Sequence, residues 1–132
     1  MKGKKRILVV DDEVRLAFLL KQTLLNLGPE YDIETANTAQ DALKVMEGAP
    51  CDLVITDCRM DGMGGLELMR AIKSRHPETL VILMTAYSSP DIEAEAQRLK
   101  AYRYITKPFP MEDFQNLVQE ALRGHSGRGK PA

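Results

Sequence analysis

The chain has 132 residues, of which 44% are hydrophobic, which allows one domain with a buried core and leaves no room for a second. Its 18 Lys and Arg residues nearly balance 19 Asp and Glu residues, and a net charge of -1 argues against direct binding to nucleic acid or to an anionic membrane. The apolar runs at residues 7–10 and 80–84 are too short for a signal peptide or a membrane span, which predicts a soluble cytoplasmic protein.

Short apolar segments alternate with segments of helical periodicity along the chain. The apolar segments predict strands at residues 7–10, 31–36, 52–56, 80–85 and 102–106. The first helical segment follows residue 10 and ends at Gly28 and Pro29. Its apolar positions predict a largely buried helix, and they are Val14, Leu16, Phe18, Leu19, Leu20, Leu24 and Leu27.

Capping and helix-breaking residues mark the later helices. A second helix is expected from Thr38, which with Asp41 resembles a capping box, to Gly48. A third follows the glycine-rich turn at 62–65 and ends before Pro77. The last two are predicted at about residues 90–99, capped by Ser89, and 110–124, opened by Pro110 and ended by Gly124.

Five such β-α units predict an α/β protein with a right-handed, doubly wound parallel sheet of five strands and five helices. The expected strand order is 2-1-3-4-5, as in flavodoxin-like folds. An α/β barrel is excluded because it needs about 200 residues or more. We assign one domain to residues 1–124 and expect residues 125–132 to be a disordered tail or the start of a linker.

Polar side chains stand at four neighbouring strand ends of this predicted sheet. Asp11 and Asp12 follow the first strand, Asp57 follows the third, Thr85 ends the fourth and Lys107 follows the fifth. The carboxyl ends of parallel strands meet at one edge, where ligands bind near the point of strand-order reversal. Any one of these acids alone is typical of a helix cap or a turn, but their combination predicts a functional crevice.

The chemistry of this crevice favours a bound cation and a phosphoryl group. Three close carboxylates repel one another, and oxygen ligands in an open site suit Mg²⁺. Beside the metal, the exposed carboxylate of Asp57 can attack phosphorus and form an aspartyl phosphate. Lys107 and Thr85 would then hold the phosphoryl oxygens through a charge and a hydrogen bond.

Four motifs carry a resemblance to a known family. They read Ile-Leu-Val-Val-Asp-Asp-Glu at 7–13, Asp-Cys-Arg-Met-Asp-Gly-Met-Gly-Gly-Leu-Glu-Leu at 57–68, Met-Thr-Ala-Tyr at 84–87 and Tyr-Ile-Thr-Lys-Pro-Phe at 104–109. In this combination the chain resembles the CheY-like receiver domains of two-component response regulators. The resemblance extends over residues 5–123, which is nearly the whole chain.

The resemblance implies that Asp57 is the modified residue. It would accept a phosphoryl group from a sensor histidine kinase or a histidine phosphotransfer protein. The family pattern implies that Asp12, Asp57 and the backbone carbonyl of Arg59 ligate Mg²⁺, and that Asp11 acts through a metal-bound water. It also implies that Lys107 pairs with the phosphoryl group and that the peptide bond before Pro108 is cis.

A conformational switch is implied as well, in a regulatory domain that catalyses only its own phosphotransfer and autodephosphorylation. Thr85 would move toward the phosphate and Tyr104 would rotate inward, which would shift a population of states. The face made by the fourth helix, fifth strand and fifth helix would then meet a downstream protein or output domain. Phosphorylation-dependent homodimerisation through this face is a further option.

The sequence departs from the family pattern at two positions. Asp61 stands where the family usually has proline, and Lys100 stands where it usually has glycine. If position 100 needs a positive φ, a lysine there costs about 1 kcal/mol, or the end of the fourth helix frays instead. These changes concern the switching, since neither residue carries the chemistry.

Other roles share parts of this pattern. A haloacid-dehalogenase-like phosphatase also forms an aspartyl phosphate, but it needs an acid two residues after the nucleophile, where this chain has Arg59. A flavodoxin-like cofactor binder would have a glycine-rich turn after the first strand, where this chain has Asp-Asp-Glu. The choice between a stand-alone regulator and the detached input domain of a longer regulator stays open.

Overall fold

The computed structural model describes residues 4–60 and 62–124, so the predicted tail at 125–132 and Asp61 lie outside the described residues. Within this part of the chain, strands and helices alternate strictly. The strands are β1 (Lys5–Val10), β2 (Tyr31–Ala36), β3 (Leu53–Asp57), β4 (Leu80–Thr85) and β5 (Arg103–Thr106). The helices are α1 (Val14–Leu25), α2 (Ala39–Gly48), α3 (Gly65–Arg75), α4 (Pro90–Arg98) and α5 (Met111–Gly124).

The strands form one parallel sheet in the order β2-β1-β3-β4-β5, which confirms the predicted doubly wound, flavodoxin-like fold. The order reverses between β1 and β3. Val10 pairs with Thr56 across this point, and Asp57 pairs with Met84 on the other side. The carboxyl ends of β1, β3, β4 and β5 therefore meet at one edge. No helix of the described segments is long and apolar enough to cross a membrane.

Each face of the sheet has its own hydrophobic core. One core joins alternate residues of the central strands, such as Leu8 and Val54, to α2, α3 and α4. The other joins the intervening residues, such as Val9 and Ile55, to α1 and α5. Every residue of β3 is buried, as the Leu-Val-Ile run predicted. Burying a side chain of this kind stabilises the fold by about 1.5–3 kcal/mol, so β3 is held firmly in place.

The prediction of a largely buried α1 is wrong for one side of the helix. Ala17, Leu20 and Leu24 are buried against the sheet, but Val14 is 62% exposed and Phe18 is 61% exposed. A helix that lies on one face of a sheet presents only one side to it, and apolar residues at other angles remain at the surface. The helix α1 therefore has more apolar residues than its buried side can accommodate.

Two helix starts form as their capping residues predicted. The Thr38 hydroxyl accepts a hydrogen bond from the Asp41 N–H at 3.0 Å, and the Ser89 hydroxyl accepts one from the Ile92 N–H at 3.2 Å. Each bond satisfies one of the N–H groups that a helix start leaves without a partner. The loop that precedes α4 is thereby fixed at its helical end.

The end of α4 requires a left-handed residue, as the comparison of Lys100 with glycine suggested. Lys100 has a φ of 67°. Its N–H donates to the Gln97 carbonyl, and the Ala101 N–H donates to the Ala96 carbonyl, both at 3.0 Å. These two bonds define a Schellman motif, so the helix closes in an ordered cap and does not fray.

Candidate functional site

Three acids meet at the carboxyl edge of the sheet. Asp11 comes directly after β1, and Asp57 is the last residue of β3. Together with Asp12 they place one carboxylate oxygen each within 4.8 Å of one another. Asp12 is exposed and opens the group to solvent, whereas Asp11 and Asp57 are buried. The expectation of an exposed Asp57 carboxylate is therefore wrong, because Asp57 ends a central strand whose residues are all buried. The structure thus brings together the three carboxylates that sequence analysis placed at these strand ends.

Asp11 is fixed by contacts on both of its carboxylate oxygens. One oxygen accepts a hydrogen bond from the Glu13 N–H, and the other accepts one from the Lys107 ammonium, both at 2.9 Å. The same ammonium lies 3.6 Å from the nearer Asp57 oxygen. Lys107 follows β5, its own N–H donates to the Thr85 carbonyl at 2.7 Å, and its bond to Pro108 is cis. One lysine therefore pairs with both buried acids.

Burial and the neighbouring charges shift the pKa values of Asp57 and Lys107. Burial raises the pKa of Asp57, and the charges of Asp11 and Asp12 raise it further, although Lys107 opposes them. For Lys107, burial alone would lower the pKa, but the hydrogen bond and charge of Asp11 outweigh it and raise the pKa. Lys107 is therefore held protonated, while the Asp57 anion is destabilised. An additional cation would relieve that destabilisation.

The donor set fits a hard divalent cation. The three clustered side chains offer only carboxylate oxygens, which Mg²⁺ prefers. Asp12 lines an open cleft with Cys58 and Arg59, which leaves room for coordinated water. Burial, followed by the charge of Asp57, raises the pKa of the Cys58 thiol to about 11, so the thiol is neutral at physiological pH in the metal-free chain.

The residues named for the switch lie beside the loop between β4 and α4. Thr85 is fully buried, and its hydroxyl accepts from the Tyr87 N–H at 3.1 Å and donates to the Tyr87 carbonyl at 3.2 Å. Tyr104 is partly buried, and its hydroxyl donates to the Ser88 hydroxyl at 3.2 Å. Both residues are therefore hydrogen-bonded to the same loop.

Sequence reasoning missed residues that support the site through the backbone. The Asn37 amide donates to the Asp11 carbonyl at 2.9 Å and connects the end of β2 to the segment after β1 that carries Asp11. A Cβ on Gly65 would collide with the Asp57 carbonyl, so glycine permits the close approach of α3 to β3. The position of Asn37, directly after β2 and beside β1, was the signal that could have identified it.

A doubly wound sheet with an acid cluster at its topological switch point defines a class of ligand-binding α/β proteins. Within that class the family is clear, because the model of the response regulator receiver domain matches residues 7–119. The chain belongs to the response regulator receiver family. This result confirms the resemblance drawn from the four motifs and disfavours the phosphatase and the flavodoxin-like cofactor binder.

Individual relatives agree with this assignment. The response regulator protein PilR of Pseudomonas aeruginosa is 35% identical over 121 residues, which cover 92% of this chain and 27% of PilR. A CheY-like receiver domain from Methanospirillum hungatei JF-1 has a TM-score of 0.89 at 30% identity, with 96% of this chain and 100% of that one covered. The chain spans about a quarter of the curated relatives' length.

A further similar structure is that of a receiver domain in an activated state. The beryllofluoride-activated receiver domain of DrrB, a Thermotoga maritima protein, has a TM-score of 0.82 at 30% identity. The match covers 91% of this chain and 98% of that domain. The overall fold is therefore shared with a receiver domain in an activated form.

Proposed function

We propose that residues 1–124 form a phosphoacceptor switch of two-component signal transduction, with Asp57 as the phosphorylated residue. The observation that carries this proposal is the position of the Asp57 carboxylate, at the end of β3 between two further acids and the Lys107 ammonium. The donor would be a phosphohistidine on a sensor kinase or on a histidine phosphotransfer protein. Family membership supports the regulatory role, and the acid group supports the chemistry.

The metal in this proposal is Mg²⁺. Asp12, Asp57 and the backbone carbonyl of Arg59 would hold it, and Asp11 would contact it through a bound water. When bound, Mg²⁺ would offset the negative charge of the carboxylates and of the phosphoryl oxygens. Asp12 is the exposed acid of the group, and this position suits a ligand that first meets the ion from solvent.

Phosphoryl transfer would use Asp57 as the nucleophile. One of its carboxylate oxygens forms a bond to phosphorus while the bond from phosphorus to the donor imidazole nitrogen breaks. The imidazole leaves with the electron pair of that bond, and the product is an acyl phosphate on Asp57. Lys107 is close enough to Asp57 to pair with a phosphoryl oxygen by a small movement, and its protonated state suits that role.

The response to phosphorylation would begin at Thr85. Its hydroxyl has one proton, which is donated to the Tyr87 carbonyl in the unphosphorylated chain. Donation to the phosphoryl group would break that bond and release the loop, and Tyr104 would leave Ser88 and turn inward. The face of α4, β5 and α5 would then change for a downstream protein, an attached output domain or a second copy of the chain.

Mass spectrometry of the intact protein tests the proposal. We expect acetyl phosphate to add the mass of one phosphoryl group in the presence of Mg²⁺. The adduct should be absent with a chelator and absent from Asp57→Asn. Asp91→Asn, which changes an acid at the start of α4 outside the carboxylate cluster, serves as the control and should be modified normally. An adduct of equal yield on Asp57→Asn would contradict the proposal.

A further inference from the structure

The loop between β4 and α4 is held from three directions in this structure. Thr85 holds it by two hydrogen bonds to the Tyr87 backbone, and Tyr104 holds it through Ser88. The third contact comes from the loop after β3, where the Arg59 guanidinium lies over the Tyr87 ring, 5.4 Å from its centroid. The loop is thus connected to the strand end that carries Asp57.

The contact between Arg59 and Tyr87 involves a side chain that lies at the surface. Tyr87 is 67% exposed, and it is one of the most exposed large apolar side chains in the described residues. It makes no contribution to either hydrophobic core. A cation over the face of an aromatic ring is attracted by the ring's quadrupole. This attraction favours one position of a side chain that packing leaves at the surface.

We propose that Arg59 and Tyr87 form a latch that keeps the β4–α4 loop in its unphosphorylated arrangement. This inference rests on the proposed phosphorylation of Asp57. Thr85 cannot donate its single hydroxyl proton to both the Tyr87 carbonyl and a phosphoryl oxygen. When Thr85 turns to the phosphoryl group, the Tyr87 backbone loses that bond, and the ring must leave Arg59 for the loop to move. The latch therefore opposes the switch.

The size of the effect follows from the exposure of the pair. A cation–π contact at an exposed site shifts an equilibrium by roughly two- to fivefold. The latch is therefore a bias on the switch and not a lock. Its loss should loosen the loop before phosphorylation and should make the phosphorylated arrangement easier to reach by the same factor, because both effects come from the same contact.

Three single variants and one double variant test whether the aromatic ring of Tyr87 and the charge of Arg59 hold the loop. Tyr87→Leu removes the aromatic ring, whereas Tyr87→Phe keeps it and is the matched control. Arg59→Met removes the charge and keeps an unbranched side chain. The double variant Arg59→Met/Tyr87→Leu tests whether the two residues act through each other.

Amide hydrogen exchange in the unphosphorylated chain is the first measurement, because it does not depend on phosphorylation. We expect the protection factor of the residue 87 amide, which donates to Thr85, to fall by roughly two- to fivefold in Tyr87→Leu and Arg59→Met. Tyr87→Phe should match the native chain. Unchanged protection in Tyr87→Leu and Arg59→Met, or equal loss in Tyr87→Phe, would overturn the latch.

Binding of beryllofluoride with Mg²⁺ is the second measurement. We expect Tyr87→Leu to bind this phosphoryl mimic roughly two- to fivefold more tightly than the native chain. In the Arg59→Met background, Tyr87→Leu should have no further effect. Equal tightening in both backgrounds would overturn the latch. Absence of binding by the native chain itself would instead count against the proposed function, so the two failures are distinguishable.

Discussion

Two features of the Asp57 site act in the same direction on its charge. Asp57 is 8% exposed, which excludes most solvent, and one of its carboxylate oxygens lies within 4.8 Å of an oxygen from each of two other acids. Burial and the neighbouring charges both make its anion less favourable than it would be in water. The ionised form of the residue that we propose to be phosphorylated therefore lowers the stability of the folded chain. A bound cation or a phosphoryl modification would change that effect directly.

Asp57→Asn should stabilise the fold when divalent cations are absent. The folded pKa of Asp57 is raised above its ordinary value of 3.8, so the folded state binds more protons between the two pKa values. The free energy of unfolding therefore falls as the pH rises through this window and stays reduced above it. The variant avoids this loss. We expect it to unfold at a higher urea concentration than the native chain at pH 7 in a chelator.

Below the ordinary pKa of an aspartate the advantage of Asp57→Asn should disappear, because Asp57 is then protonated in both states. Unfolding curves of the two chains in acid provide this comparison. A native chain that matches the variant at pH 7 and differs from it only in acid would contradict the assignment of a raised pKa to Asp57.

Strand ends made the acids, Thr85 and Lys107 predictable as a group, since parallel strands bring their carboxyl ends to one edge. The hydrogen bonds of Asn37 and Ser88 could not be predicted in the same way. They depend on the path of irregular loops, which no periodicity of the sequence encodes. The stacking of Arg59 on Tyr87 depends on two such loops at once.

Among the elements, α4 carries a measurable strain at its end. Lys100 occupies the left-handed position of a Schellman motif, where a residue with a Cβ is disfavoured. We expect Lys100→Gly to raise the free energy of unfolding by about 1 kcal/mol. Lys100→Ala, which keeps the Cβ and removes the charge, should change it by less than about 0.5 kcal/mol. Urea unfolding measures both, and equal effects of the two variants would show that backbone strain is not the cause.

The two sides of α1 should respond very differently to truncation. Leu20 is fully buried, so Leu20→Ala should cost about 2–5 kcal/mol of unfolding free energy through lost packing and a cavity. Phe18 is 61% exposed, and Phe18→Ala should change the same quantity by less than about 0.5 kcal/mol. Denaturant unfolding of the two variants gives the comparison. A large loss for Phe18→Ala would contradict the exposed position of its ring.

The sequence of α1 predicted a helix but not which of its apolar residues would be buried. Apolar residues lie on more than one side of this helix, so the pattern leaves its orientation on the sheet undetermined. The central strands β1, β3 and β4 have no such ambiguity, because both faces of a central parallel strand are covered. The prediction of β3 therefore succeeded to within one residue at each end, while the burial of α1 was predicted only in part.

For the molecule as a whole, Mg²⁺ should act as a stabilising ligand. A ligand that binds only the folded state at 100 times its Kd adds about 2.7 kcal/mol to the free energy of unfolding. We expect the melting temperature to rise with Mg²⁺ concentration and the rise to be much smaller in Asp12→Asn, which lacks the exposed acid. Asp91→Asn should retain the full rise. An identical Mg²⁺ response in Asp12→Asn and Asp91→Asn would contradict a metal site at the acid cluster.

The whole fold was predictable because its rules are topological. Alternating strands and helices imply right-handed crossover connections between parallel strands. A chain of this length is too short for a closed α/β barrel, so its strands form an open, doubly wound sheet. The order β2-β1-β3-β4-β5 follows the common arrangement of such sheets. The conformation of the loop between β4 and α4 depends on the energies of a few hydrogen bonds and one ring contact. The topology of the sheet does not determine these energies.

The most direct test of the central claim is to locate the phosphoryl group on the chain. Borohydride reduces an aspartyl phosphate to homoserine, and peptide mass mapping then identifies the position after treatment with acetyl phosphate and Mg²⁺. The account predicts homoserine at position 57 and unmodified aspartate at positions 11 and 12. Homoserine at position 11 or 12, or none anywhere in a fully folded chain, would contradict it.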